Sequence, residues 1–152
     1  MRIITGKYKG RKLFTLAGHN TRPMTDRMKE SVFNVIGPYF DGGDVLDLFG
    51  GSGALSLEAI SRGITHATIV EKAADATAII MKNVHTLQAN EETTVLRMDY
   101  QRALERLANQ KKYDLIFIDP PFRMNIVDEI LVTLQEKEVL KQDAYIICQY
   151  VK

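Results

Sequence analysis

The sequence predicts an α/β protein built on a mostly parallel, doubly wound sheet. Three observations predict it: five short apolar runs that are nearly continuous rather than alternating, stretches of helical periodicity between them, and a glycine-rich turn directly after the first run. Strands covered on both faces lose the in-out alternation of a half-exposed sheet, and a strand-helix-strand succession closes as a right-handed crossover.

In chain order, RIITGKYKGRKLFTL has two β-prone runs broken by Gly6 and Gly10, which reads as a small hairpin or extended arm over 1–24. Thr25 is a good N-cap, and Met28, Val32, Phe33, Val35, Ile36 and Tyr39 recur at helical spacing until Pro38 and Gly42 end a first helix. The strands follow at 44–49, 66–71, 93–98, 113–118 and 144–149. Between them lie helical patterns on Leu55, Ala59 and Ile60, on Ala76, Ile80 and Val84, on Leu104 and Leu107, and on Ile126, Ile130 and Leu134. With no repeat, linker or low-complexity tract, 1–152 reads as one domain: the arm and a core over 25–152.

Size agrees with this division. A chain of 152 residues with 45% hydrophobic and 26% charged residues has the dimensions of one ordinary domain. No apolar run approaches the roughly 20 residues of a bilayer span, and the basic start lacks the apolar stretch and cleavage site of a signal peptide, so the cytoplasm is the expected compartment. The single Cys148 gives no disulfide framework and reads as a small core residue, while His19, His66 and His85 lack metal-ligand spacing, so no metal is expected. The net charge of +1 conceals a division. Residues 1–30 hold eight basic side chains against two acidic ones, whereas 31–152 hold twelve against seventeen. A basic arm on a mildly acidic body fits a polyanion approached from one side; the competing reading is a solvated strand of biased composition.

Open α/β sheets bind ligands beyond the carboxyl ends of their strands. The first such turn is Asp47-Leu48-Phe49-Gly50-Gly51-Ser52-Gly53-Ala54. Its glycines allow a tight turn and close approach to a helix N-terminus. From Gly51, a dinucleotide fingerprint would need its third glycine where Ser56 stands, and a carboxylate just before the glycines is a poor neighbour for pyrophosphate. It suits a cationic amine such as that of S-adenosylmethionine. Glu71 ends the second strand, twenty positions after Gly51, where an acid accepts from ribose hydroxyls; Asp99 ends the third, where it can accept from an adenine amine. After the fourth strand comes Asp119-Pro120-Pro121-Phe122. Two prolines make a rigid turn that presents carbonyl acceptors. The Asp119 carboxylate and the Pro120 carbonyl would hold the two hydrogens of an exocyclic nucleobase amine while Phe122 stacks on the ring.

With these motifs the chain resembles the RsmD-type 16S rRNA (guanine-N2)-methyltransferases, within the Rossmann-like class I methyltransferases. The likeness covers essentially the whole chain. It includes Arg2-Ile3-Ile4, Gly6-Lys7 and Gly10-Arg11-Lys12-Leu13 in the arm, Arg22-Pro23 with Thr25-Asp26-Arg27, Glu30 and Phe33-Asn34, the Asp47-to-Ala54 turn, and Asp119 through Arg123. The resemblance implies S-adenosylmethionine as cofactor, held at Asp47, Gly50, Gly51, Ser52, Gly53, Glu71, Lys72, Asp99, Tyr100 and Asp119. It implies catalysis at Asp119, Pro120 and Phe122, and RNA contacts at Lys7, Lys9, Arg11, Lys12, Arg22 and Arg123. The implied target is the N2 amine of a guanine in 16S rRNA, met in the small ribosomal subunit, by an enzyme expected to be monomeric and free of membranes. Gly50 stands where such proteins often have Ala, a change expected to loosen the turn. Their fold continues past the fifth strand with a closing β-hairpin, which this chain, stopping at Lys152, is expected to lack, leaving a sheet edge exposed. The alternatives are a DNA adenine or cytosine amino-methyltransferase, for which a separate target-recognition region has no room, and a catalytically silent RNA-binding assembly module.

Overall fold

The computed structural model describes residues 1–16, 24–120 and 126–148. After the arm come α1 (Asp26–Ile36), β1 (Asp44–Asp47), α2 (Ala54–Ser61), β2 (His66–Val70), α3 (Ala74–Thr86), β3 (Thr93–Leu96), α4 (Tyr100–Leu107), β4 (Tyr113–Ile118), α5 (Val127–Glu136) and β5 (Leu140–Cys148). The five strands form one sheet in the order β3-β2-β1-β4-β5, and every pairing is parallel. The chain winds outward from β1 to β3, then returns beside β1 with β4. This reversal opens a crevice at the carboxyl ends of β1 and β4.

Successive strand residues point to opposite faces, and both faces are apolar. Val45, Ile69, Leu115 and Phe117 pack with Phe33, Leu57, Ile60, Ile80 and Val84 under α1, α2 and α3. Leu46, Val70, Ile116 and Ile118 pack with Leu104, Ile130 and Leu134 under α4 and α5. The near-continuous hydrophobic runs thus have the predicted cause.

Several boundaries differ from the expected ones: β1, β2 and β3 end two, one and two residues early, at Asp47, Val70 and Leu96, and two further differences have a clear cause. The first helix ends at Ile36, where the Gly37 N–H donates to the Phe33 carbonyl at 2.8 Å, and Val35 and Tyr39 are 80% and 65% exposed. Val35 lies about 200° around the helix from the buried Phe33, so it cannot share the core face. β5 begins four residues early, because its pairing shifts between Tyr113 and Leu115 and accommodates Asp143 at φ 66°. That irregularity, carried by Gln142 and Asp143, broke the apolar pattern in the sequence.

The arm is a hairpin seated on the core. Ile3 N–H donates to the Arg11 carbonyl at 2.9 Å, Leu13 N–H to the Met1 carbonyl at 2.8 Å, and Arg2 bridges Lys12 in antiparallel fashion. Ile3 and Leu13 are buried in the α1–α3 layer. Gly6, at φ +93°, lets the chain press on the end of α2, where any Cβ would overlap the Ser61 carbonyl.

Beneath the arm lies Glu58, a fully buried carboxylate. Its Oε1 accepts from the Ile4 N–H at 2.9 Å and lies 3.0 Å from the Lys29 ammonium; its Oε2 accepts from Thr5 N–H at 3.2 Å and from Arg62 Nε at 2.8 Å. Lys29 also donates to the Arg2 carbonyl at 2.6 Å, and the Arg62 guanidinium sits 4.8 Å from the Phe33 ring centre. A buried charge with one partner removed is costly, so Glu58→Ala, which strands Lys29, should destabilise the fold by about 3–5 kcal/mol. Urea unfolding should show this as a lower midpoint, together with faster proteolysis within residues 1–16.

Candidate functional site

The site is the glycine turn and the strand ends around it. After Asp47, the Gly50 N–H donates to the Val70 carbonyl and the Gly53 N–H to the Gly50 carbonyl, both at 2.8 Å; Leu57 N–H donates to Gly53 as α2 starts. Gly51 and Gly53 are left-handed, at φ +59° and +82°. Gly50 does not loosen this turn as the sequence suggested. A Cβ there would overlap Ile69 Cγ2 and lie 3.1 Å from Ile80 Cδ1, so glycine is what lets β2 and α3 close on the turn.

Acidic groups ring the turn. Glu71 follows β2 and accepts from the Gly51 N–H through Oε1 and the Ala73 N–H through Oε2, each at 2.9 Å. These two bonds fix the carboxylate beside the turn, and each oxygen keeps a further lone pair for a hydroxyl. Asp99 caps α4, accepting from Arg102 N–H at 2.9 Å, and Tyr100 packs its ring 5.3 Å from that of Phe49. Lys72 is exposed next to Glu71.

Asp47 is only 2% exposed and accepts from the Ser56 hydroxyl at 2.9 Å. Burial pushes its pKa up to about 7; Ser56 and the Phe49 N–H oppose the rise, while the negative charges of Asp119 and Glu71 add to it. Ser56 occupies the place of the missing third glycine, and its role as donor to Asp47 was not read from the sequence. Asn83 of α3 was also missed: buried within an apolar helix face, it joins the arm to the turn through bonds to Phe14 and Ser52.

Asp119 and Pro120 follow β4, half-buried. Asp119 borders a cavity of about 290 Å³ between α1, α2 and the ends of β4 and β5, whose walls include Met28, Val32, Leu55, Ile118 and Cys148. Cys148 is half-buried there, and burial raises its thiol pKa. Phe122, Arg123 and Arg22 lie outside the described residues.

The basic arm residues lie elsewhere. Lys7 is 3.8 Å from Glu92, just before β3, and Arg11 donates to the Thr86 carbonyl at the end of α3 at 2.8 Å. The hairpin tip is thus at the end of the sheet where strands begin, opposite Asp119. Lys9 and Lys12 are exposed.

These donors and acceptors fit S-adenosylmethionine. Carboxylates at the ends of β1, β2 and β3 can face an ammonium, a ribose diol and an adenine amine, and the Cβ-free turn allows close approach. A pyrophosphate would meet the same negative charges unfavourably. Among the described residues, no group of three or more His, Cys, Asp or Glu could hold a metal ion, and no helix is long and apolar enough to cross a membrane.

Residues 1–152 match the family described as conserved hypothetical protein 95. A Bacillus subtilis protein with a provisional name as an rRNA methyltransferase is 42% identical over 151 residues, covering 99% of this chain and 82% of the relative. The ribosomal RNA small subunit methyltransferase D of Haemophilus influenzae is 37% identical over 147 residues, covering 96% of this chain and 76% of that protein. A solved Escherichia coli structure, provisionally named as a methyltransferase, superposes with a TM-score of 0.84 at 34% identity, over 97% of this chain and 80% of that one.

The raised pKa of Asp47 has a consequence for stability. Between the unfolded value near 4 and the folded value of about 7, the folded chain holds a proton that the unfolded chain has lost. This group therefore makes the fold less stable as pH rises through that window, and flat above it. Asp47→Asn should abolish its share of the slope, so that the mutant gains on wild type as pH rises from 4 to 8. Urea midpoints across pH 4 to 8 check this.

Proposed function

The chain belongs to the conserved hypothetical protein 95 family, the family of the small-subunit rRNA methyltransferase D proteins, and from that premise we propose that it transfers a methyl group from S-adenosylmethionine to the N2 amine of a guanine in small-subunit rRNA. The observation that carries this reading is Asp119 at the end of β4, between the acidic rim of the glycine turn and an apolar cavity.

When bound, the cofactor supplies an electrophilic methyl group. Glu71 holds the ribose hydroxyls, its orientation set by the Gly51 and Ala73 amides. Asp47, charged once its proton leaves, attracts the amine of the cofactor, and Asp99 and Tyr100 border the adenine. Asp119 and the Pro120 carbonyl accept the two hydrogens of the guanine amine and aim its lone pair. As the nitrogen becomes cationic, the Asp119 carboxylate offsets the new charge, and its stabilisation is greatest in the transition state. The cavity walls of Met28, Val32 and Leu55 keep water from the ring. In this reading Phe122 stacks on the base, and Lys7, Lys9, Arg11 and Lys12, with Arg22 and Arg123, contact phosphates. The domain acts as one unit in the cytoplasm, as a monomer on the small subunit.

Single-turnover methylation of small subunits, free rRNA and genomic DNA from a strain lacking the gene tests the assignment, with the methylated nucleoside identified. N2-methylguanosine in small-subunit rRNA is the expected product, and methylation of DNA alone overturns the reading. Asp119→Ala should slow transfer by about 10²–10³-fold with S-adenosylhomocysteine affinity nearly unchanged. Glu71→Ala should instead weaken that affinity through lost hydrogen bonds.

Charge reversal at Lys9 and Lys12 should weaken RNA binding and leave cofactor affinity in place. Each lost contact with a single strand should remove about 0.7 from the slope of log K against log salt. Filter binding across salt concentrations measures it.

A further inference from the structure

Resting on the reading above, we infer that Asn83 is a positioning residue that couples the RNA-binding arm to the cofactor turn. Its side chain lies inside α3 with 0% exposure, between the buried Ile80 and Val84. An apolar residue would serve packing there better, since Asn is a weak helix former and its amide must be satisfied. Asn83 instead meets two separate pieces of backbone. Its Oδ1 accepts from the Phe14 N–H at 2.7 Å, and its Nδ2 donates to the Phe14 carbonyl and to the Ser52 carbonyl, both at 2.9 Å.

The two carbonyls require the amide nitrogen on one side and the Phe14 N–H requires the oxygen on the other, so the orientation is fixed. Phe14 continues the strand that carries Arg11 and Lys12. Ser52 lies between Gly51, whose N–H donates to Glu71, and Gly53, where α2 starts. The connection therefore runs from a basic strand through one amide to the Ser52–Gly53 peptide, in the same short turn as the Gly51 N–H that holds the ribose-binding acid. RNA that immobilises the arm also immobilises Asn83 and the turn, so the cofactor has less ordering left to do, and the two ligands bind with positive cooperativity.

Calorimetry of S-adenosylhomocysteine binding, with and without saturating small-subunit rRNA, tests the coupling. The wild type should bind at least about fivefold tighter with RNA present, within the usual range of coupling between sites. Phe14→Pro removes the N–H that Asn83 Oδ1 accepts and leaves the Phe14 and Ser52 carbonyls bonded to Nδ2, so affinity without RNA should stay within about twofold while the RNA effect falls. Asn83→Asp places a carboxylate oxygen against the Ser52 carbonyl and should weaken binding without RNA by about tenfold. A purely packing role for Asn83 would leave the RNA effect intact in Phe14→Pro.

Equal affinity with and without RNA in the wild type overturns the inference, as does a wild-type RNA effect in Phe14→Pro. If Phe14→Pro does not fold, amide exchange of the wild type decides: slower exchange at Gly51 and Gly53 on adding RNA supports the coupling, and no change overturns it. A wild type that binds no S-adenosylhomocysteine at all overturns the functional reading instead.

Discussion

The carboxylate of Glu58 is the constraint on which the rest of the molecule depends. Taking a charge out of water is expensive unless cations and hydrogen-bond donors replace the solvent. Here the replacements come from three parts of the chain: the amides of Ile4 and Thr5 in the arm, Lys29 in α1 and Arg62 at the end of α2. Each part is held because the others are. The arm cannot lift without exposing Glu58 to an incomplete set of partners, and α1 cannot shift without moving Lys29 from both Glu58 and the Arg2 carbonyl. Buried ion pairs add little net stability over apolar packing, but this one specifies where the arm goes. Its fixed path is what brings Phe14 to Asn83 and the glycine turn.

The fold was legible because parallel strands buried on both faces leave unbroken apolar runs, and Thr25 marks the start of the first helix. The glycine turn, Glu71, Asp99 and Asp119 were legible because a doubly wound sheet fixes where strand ends meet. What escaped was chemistry that depends on distant segments. Glu58 follows an apolar residue in a helix, and its sequence neighbours do not show that Lys29 and the arm will cover it. Asn83 looks like one polar residue on the side of α3, since its partners stand 69 and 31 positions away. Val35 was misplaced because its apolar side chain fitted a loose helical spacing. The start of β5 was missed because Gln142 and Asp143 interrupt its hydropathy.

The same packing explains the electrostatics of the site. Gly50 and Gly53 let Ile69 and Ile80 close on the turn, which seals Asp47 under it and makes Ser56 its nearest donor. A half-titrated acid near neutral pH follows from this tight closure together with the acidic neighbours Asp119 and Glu71. On the function proposed above, a cation placed beside this acid would draw it toward its charged form.

The hairpin tip and Asp119 stand at opposite ends of the sheet, separated by at least the length of β2, about 17 Å for five residues. On the function proposed above, an RNA in contact with both would have to span that distance, and a fragment shorter than it could meet only one of them.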